Sequence, residues 1–227
     1  EKIRGSFLLA GPFLARKQSI DLPAPGGDRI GLRPVNTHLL ALEKLEVSIS
    51  QTQNGLYKMR TSGMVGNEIY LDEASVMATE NTIMAAVTAK GKTIIYNAAC
   101  EPHVQGLCDF LVMLGASIKG IGSNLLVIEG VNQLLGGNYT IQPDHTEVGS
   151  FIGLAAVTKS EIQIKNAGVK YLRMICLMFE KLGVEIIIDG DDLLIPKNQK
   201  LTVLNNMRGG IPKIDDSPWP GFPADLT

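Results

Sequence analysis

Asp28 lies between Gly27 and Gly31 in the run Leu22-Pro-Ala-Pro-Gly-Gly-Asp-Arg-Ile-Gly-Leu-Arg-Pro-Val-Asn-Thr-His38. A carboxyl group on so glycine-rich a loop could close over a ligand as an acid or base. Arg33 follows, directly before Pro34-Val35-Asn36-Thr37. Proline is favoured at the first position of a helix, so a helix is expected to begin at Pro34. Free N–H groups of a helix start beside a guanidinium make an anion site. A second carboxylate, Asp225, closes Ser217-Pro-Trp-Pro-Gly-Phe-Pro-Ala-Asp225. Its three prolines and two aromatics make a stiff, non-helical segment, which is one way to place a catalytic base. The plain alternatives are a turn aspartate on a solvated loop for Asp28 and a helix cap for Asp225.

Three more polar segments stand in front of helical patterns. In Leu71-Asp-Glu-Ala-Ser-Val-Met-Ala-Thr-Glu-Asn81, Ser75 suits an N-cap. A phosphate or nucleotide resting on that helix end is the functional alternative. In Asn97-Ala-Ala-Cys-Glu-Pro-His103 the pair Glu101-Pro102 starts a helix, and His103 reads as an exposed first-turn residue. In Pro143-Asp-His-Thr-Glu-Val-Gly-Ser150, Asp144 or Thr146 is expected to cap.

The elements that carry these segments repeat. Ile83-Met-Ala-Ala-Val-Thr88 returns as Ile152-Gly-Leu-Ala-Ala-Val-Thr158, and each leads to a β-rich stretch, 92–97 or 161–166. Each then meets a helical pattern ending in Leu-Gly and closes on two short strands, 117–119 with 125–129 and 185–188 with 193–195. The first third follows the same plan: helix 6–16, strand 19–22, helix 34–45, then strands 47–49 and 56–59 around the hairpin signal Asn54-Gly55. The unit is strand, helix, strand, helix, strand, strand. A unit of about 70 residues buries its helix faces poorly alone. The segment 82–89 is apolar almost all round, as a buried helix is. The fold class expected is therefore α/β, with βαβαββ units packed as inside-out barrels, helices central and sheets outside. A doubly wound sheet would instead concentrate its apolar residues in the strands.

The composition, 45% hydrophobic and 19% charged with net charge −2, is that of a globular protein without a basic block. It disfavours nucleic acid as a partner. The apolar run 7–14 is short and broken by Pro12, so neither a membrane span nor a signal peptide is expected, and the cytoplasm is the expected location. The three cysteines form no CxxC and no zinc spacing; they read as buried thiols, and no metal is expected. No P-loop, GxSxG or HExxH motif occurs, and Gly120-Ile-Gly122 reads as a hairpin turn.

Taken in order, Arg4-Gly-Ser-Phe, the loop 25–35, Ser75–Asn81, Asn97–Pro102, Pro143-Asp144 with Glu147, and Pro220-Gly-Phe-Pro-Ala-Asp225 resemble the UDP-N-acetylglucosamine 1-carboxyvinyltransferases over essentially the whole chain. The resemblance implies two similar domains of three units each, with the active site in the cleft between them. On that map residues 1–141 are two units of an incomplete first domain, and residues 142–227 are one unit and the start of the next from the second. The chain is then a fragment lacking a Lys-Asn pair on one side and a phosphate-binding Arg on the other. Phosphoenolpyruvate and UDP-N-acetylglucosamine are the implied substrates, with no cofactor. Arg4 and Arg33 would meet the phosphates and carboxylate. Pro34, Val35, Asn36 and Thr37 would contact the nucleotide sugar, and Glu73, Ala74, Ser75 and Val76 would line the uridine and diphosphate pocket. Asp28 would be the mobile-loop proton donor, and Asp225 would face the sugar 3-hydroxyl as base or orienter.

The sequence departs from that family's pattern at four places. Asp28 stands where most members have Cys, Glu73 where a Lys is usual and Met77 where a Gly is usual, and the loop carries an extra Ala24-Pro25. Two other readings follow from these departures. One is a sister enolpyruvyl transferase acting on shikimate 3-phosphate or another nucleotide sugar. The other is a non-catalytic paralog that binds nucleotide sugar.

Overall fold

Residues 4–17 form one continuous helical run, a 3-10 helix (Arg4–Leu9) that passes into α1 (Ala10–Lys17). The chain continues through β1 (Ser19–Leu22), α2 (Asn36–Lys44), β2 (Ser48–Gln51) and β3 (Tyr57–Arg60). The next group is β4 (Glu68–Tyr70), α3 (Val76–Ala86), β5 (Lys92–Tyr96), α4 (Pro102–Met113), β6 (Ser117–Lys119) and β7 (Leu125–Glu129). The last comprises α5 (His145–Thr158), β8 (Ile162–Ile164), a 3-10 helix (Val169–Tyr171), α6 (Arg173–Lys181), β9 (Ile187–Asp189), β10 (Asp192–Ile195) and a final 3-10 turn (Ala224–Leu226). This computed structural model describes residues 3–27, 33–205, 207, 209–211 and 213–227. It divides into two units, Glu1–Tyr139 and Thr140–Thr227.

The three sheets share one plan. Their orders are β1-β3-β2, β4-β5-β7-β6 and β8-β10-β9. In each, the strand between the two helices pairs antiparallel with the last strand, which pairs antiparallel with the one before it. The middle group adds β4, parallel to β5, and so shows all six elements of the expected unit. Among the described residues the outer two groups show helix, strand, helix, strand, strand.

Alternation decides which face of each sheet turns inward. Ile69, Ile95 and Leu126 stand in register across β4, β5 and β7 and are buried, while Glu68 and Tyr70 on the other face are exposed. Met59 of β3 is buried between exposed Lys58 and Arg60. Inside the first unit α3 packs against α1, α2 and α4. At Gly11 the helices approach so closely that a Cβ would strike the Asn81 backbone carbonyl. The mixed α/β order with helices inside and sheets outside is thus the inside-out arrangement expected. In the second unit Ile152 of α5, Ile175 and Cys176 of α6 and Leu172, the N-cap of α6, share one core with Leu193 and Ile195 of β10.

The third repeated feature is a helix ending. Leu45-Glu46-Val47, Leu114-Gly115-Ala116 and Leu182-Gly183-Val184 each put the middle residue at positive φ, 64°, 100° and 82°. Each middle N–H and the N–H that follows return to carbonyls of the last helical turn: Glu46 to Glu43 with Val47 to Leu42, Gly115 to Val112 with Ala116 to Leu111, and Gly183 to Glu180 with Val184 to Phe179. These bonds satisfy carbonyls that a helix end leaves free. The first group, whose repeat is faint in sequence, is identified as a true copy by this geometry, with Glu46 in the position the other two give to glycine.

Candidate functional site

Three segments far apart in sequence meet at the starts of α2 and α3. The first carries Arg4, whose Nη1 donates to the Arg33 carbonyl at 2.7 Å and whose Nη2 donates to the Pro34 carbonyl at 3.2 Å. Partial burial and the charge of Arg33 lower the Arg4 pKa, and Glu73 nearby opposes them. Two guanidinium groups held this close repel, and an anion between them would relieve the repulsion. Gly27, at φ 107°, passes against Arg4: a Cβ there would sit 3.3 Å from the Arg4 Cβ. Asp28, expected as proton donor, lies outside the described residues, as do Arg29 to Leu32.

The second segment opens α2. The helix begins at Asn36, with Val35 as N-cap, and not at Pro34. The Arg4 guanidinium holds the Arg33 and Pro34 carbonyls just before the first turn, so Pro34 precedes the cap. Arg33, Pro34 and Asn36 are exposed, whereas Val35 and Thr37 are buried. Thr37 Oγ1 donates to Asp72 Oδ1 at 2.6 Å and lies 3.3 Å from Glu73 Oε1.

The third segment opens α3. Ser75 is its N-cap, accepting from the Ala78 N–H at 3.3 Å, so the capping expectation holds. Glu73 and Ala74 are exposed, and Ser75, Val76 and Met77 are half-buried. The structure therefore gathers Arg4, Arg33, Pro34, Thr37 and Glu73 through direct contacts or near charges, with Val35, Asn36, Ala74, Ser75 and Val76 as chain neighbours of that group. Asp72, which sequence reasoning passed over, is the nearest partner of Thr37.

Beneath this surface lies a polar cluster that sequence reasoning also missed. Asn81 of α3 is buried; its Oδ1 accepts from the Gly11 N–H at 2.6 Å and its Nδ2 donates to the Phe7 carbonyl at 3.0 Å. The same Nδ2 stands 3.1 Å from Nδ1 of buried His38, which packs edge-on against the Phe7 ring. Burial, with Arg4 adding to it, pushes the His38 pKa down to about 4, so the ring is neutral at pH 7. The available signal was an amide within an otherwise apolar helix, which needs partners. A second polar group, Glu80 with Glu101, lies at the α3 and α4 level. Burial, then the charge of Glu101, raises Glu80 to about 7. Burial also pushes the Cys108 thiol up to about 12, which makes it inert.

In the second unit Asp144 caps α5, accepting from the N–H groups of Thr146 at 2.8 Å and Glu147 at 3.2 Å. The stiff segment ahead of Asp225 is pinned at several points. The Ser217 N–H donates to the Phe222 carbonyl at 3.0 Å, Phe222 is buried in the unit's core, and Trp219 stands edge-on to His145 and Tyr171. Leu226 fills the space left by Gly149 on α5. Asp225 itself is exposed within the final 3-10 turn. Among the described residues no group of three or more His, Cys, Asp or Glu side chains is placed to hold a metal, and no helix is long and apolar enough to cross a membrane.

Comparison with known proteins places these features. The family model for EPSP synthase (3-phosphoshikimate 1-carboxyvinyltransferase) matches residues 2–227. A UDP-N-acetylglucosamine 1-carboxyvinyltransferase of Bradyrhizobium diazoefficiens is 52% identical over 225 residues, 99% of this chain and 52% of that protein. One from Treponema denticola is 51% identical over 226 residues, all of this chain and 53% of that protein. The chain thus spans about half the length of the curated relatives it matches. The fold is shared with the enolpyruvyl transferase NikO from Streptomyces tendae, at a TM-score of 0.71 and 20% identity over 86% of this chain and 47% of that one. It is shared too with EPSP synthase from Acinetobacter baumannii, at 0.65 and 17% over 88% and 48%. A single family model spanning both units, and sheets and helices that superpose on solved enolpyruvyl transferases, establish that this chain belongs to the EPSP synthase (3-phosphoshikimate 1-carboxyvinyltransferase) family.

Proposed function

We propose that the full-length protein transfers the enolpyruvyl group of phosphoenolpyruvate to the 3-hydroxyl of UDP-N-acetylglucosamine, with release of phosphate. The observation that carries this reading is identity of about half over the whole chain to proteins named for that reaction. The nearness of the Arg4 and Arg33 charges at the start of α2 supports it, because the substrates are anions. In cells the reaction would serve peptidoglycan synthesis in the cytoplasm. Residues 1–141 would be two units of one domain and residues 142–227 part of a second.

In the chemistry, the 3-hydroxyl loses its proton and its oxygen bonds to C2 of phosphoenolpyruvate while C3 gains a proton. The proton is then lost from C3 as the C2–O bond to phosphate breaks, restoring the double bond. Asp28 is the donor to C3 and Asp225 the base or orienter at the hydroxyl. Arg4 and Arg33 bind phosphate and carboxylate charge, which grows on the leaving group. Pro34, Val35, Asn36 and Thr37 bind the nucleotide sugar, and Glu73, Ala74, Ser75 and Val76 line its uridine and diphosphate. A free aspartic acid has a pKa of about 3.9, so Asp28 needs bound anions or burial to hold a proton near neutrality.

Phosphate release by the full-length protein, with UDP-N-acetylglucosamine or shikimate 3-phosphate as acceptor, tests the assignment. Release with the nucleotide sugar alone is expected, and its loss in Asp28→Ala. Release with shikimate 3-phosphate alone would move the protein to the sister activity, and binding without release would make it a nucleotide-sugar binder. Fosfomycin, which alkylates a cysteine, is expected to leave no adduct at Asp28 by mass spectrometry.

A further inference from the structure

The segments named above are fixed by one side chain that none of those roles includes. Asn81 uses both hydrogens of its amide nitrogen and its oxygen: one hydrogen to the Phe7 carbonyl, one to His38 Nδ1, with the oxygen taking the Gly11 N–H. Phe7 shares its 3-10 helix with Arg4, and His38 follows Thr37 in α2. Asn81 itself stands on the helix that Ser75 opens. The contacts continue outward, since Arg4 holds the Arg33 and Pro34 carbonyls and Thr37 reaches Asp72 and Glu73, just ahead of Ser75. They form a closed circuit through three segments, with Asn81 as the joint.

We propose that Asn81 is the positioning residue of the substrate site, setting Arg4, Thr37 and the start of α3 at a fixed mutual distance without touching substrate. This rests on the carboxyvinyltransferase reading. An apolar side chain of similar size would leave a buried N–H and a buried ring nitrogen without the Asn81 amide, and would take from the Phe7 carbonyl one of its two donors, the other being the Ala10 N–H. Those three groups belong to the elements that carry the ligands, so their response to the loss is to move. Donation from Asn81 to Nδ1 also fixes the His38 tautomer with its proton on Nε2. The ring beside Arg4 then adds no charge of its own, in keeping with a pKa of about 4.

Asn81→Asp in the full-length protein tests the proposal. It keeps the shape and the acceptor for Gly11 but offers no donor to Phe7 or His38. The measurements are KM and kcat for both substrates, the dissociation constant of UDP-N-acetylglucosamine by calorimetry, the melting temperature, and the His38 ring titration by NMR. At temperatures where the variant is folded, KM and Kd for the nucleotide sugar are expected to rise tenfold or more. The His38 titration should move above its ordinary 6.5, because the new carboxylate favours the protonated ring. Constants within twofold of wild type in folded Asn81→Asp and Asn81→Ala would overturn the proposal. So would failure of both variants to fold, which would assign the amide to the fold alone. Wild-type protein that binds the sugar without releasing phosphate would break the reaction but leave Kd to judge Asn81. Wild-type protein that binds no sugar would sink both.

Discussion

Helices α3 and α5 hold the same place in the repeat and share the sequence Ala-Ala-Val-Thr, at 85–88 and 155–158, yet they live in different surroundings. Val87 is 1% exposed and its counterpart Val157 is 78% exposed. Asn81, buried and bonded to three segments, corresponds to Phe151, which is exposed. Within its own unit α3 has three helices packed on it, whereas α5 has α6. A shared Ala-Ala-Val-Thr does not fix burial; within these 227 residues the helix with more helices packed on it is the sealed one. The two helices also fix their site segments by different physics. α3 holds the Arg4 helix through an amide, and α5 holds the Asp225 turn by taking Leu226 into the space at Gly149. A hydrogen-bonded joint is directional, whereas an apolar notch tolerates small slips of a flexible side chain.

The largest effect that would sharpen this contrast is on turnover. In the full-length protein Asp225→Ala is expected to lower kcat by roughly a hundredfold to ten-thousandfold, as loss of a general base does. A drop under tenfold, read by phosphate release, would mean that α5 holds a segment of no catalytic consequence. Next comes packing. In the 227-residue chain, Ile83→Ala, in the sealed helix, is expected to cost about 2–5 kcal/mol in denaturant unfolding, whereas Val157→Ala should stay within about 0.5 kcal/mol. Equal costs would break the comparison, because Val157 would then be covered.

A third measurement concerns the αL positions at the helix ends. Gly183→Ala should cost more than Gly115→Ala, because a Cβ at 183 meets the Thr202 backbone while at 115 it meets nothing closer than 4.0 Å. Replacing Glu46 by glycine should raise stability by about 1 kcal/mol, since the left-handed conformation no longer strains a side chain. Last is a pH effect on α3. Glu80 has its folded pKa raised from 4.5 to about 7, so its contribution is present below pH 4.5 and is lost as pH rises through 7. Glu80→Gln should therefore gain melting temperature on wild type as pH rises from 4.5 to 7, and keep that gain above it. His38, with its folded pKa lowered from 6.5 to about 4, acts in the opposite sense, and stability should fall as pH drops through that window. A flat difference between Glu80→Gln and wild type across pH 4.5 to 7 would refute the Glu80 assignment.

Much of the fold could be read from local pattern. β1, β6 and β7 occupy 19–22, 117–119 and 125–129 as the alternation predicts, and the caps at Ser75 and Asp144 form as expected. These depend on neighbours a few residues apart, where side-chain period and hydrogen-bonding capacity act directly. The start of α2 moved because its capping geometry answers to Arg4, thirty residues earlier, which no local pattern records.

The order of elements, the repeat and the residue types at the candidate site were determined by the sequence itself, because each is a property of composition and spacing. Only the tertiary structure decided that Thr37 meets Asp72, that Glu46 imitates a glycine, and that Asn81 and His38 join three segments of the candidate site. The physical reason is that a buried polar group takes whatever partner the packing brings to it. For Asn81 those partners lie 43 to 74 residues away along the chain.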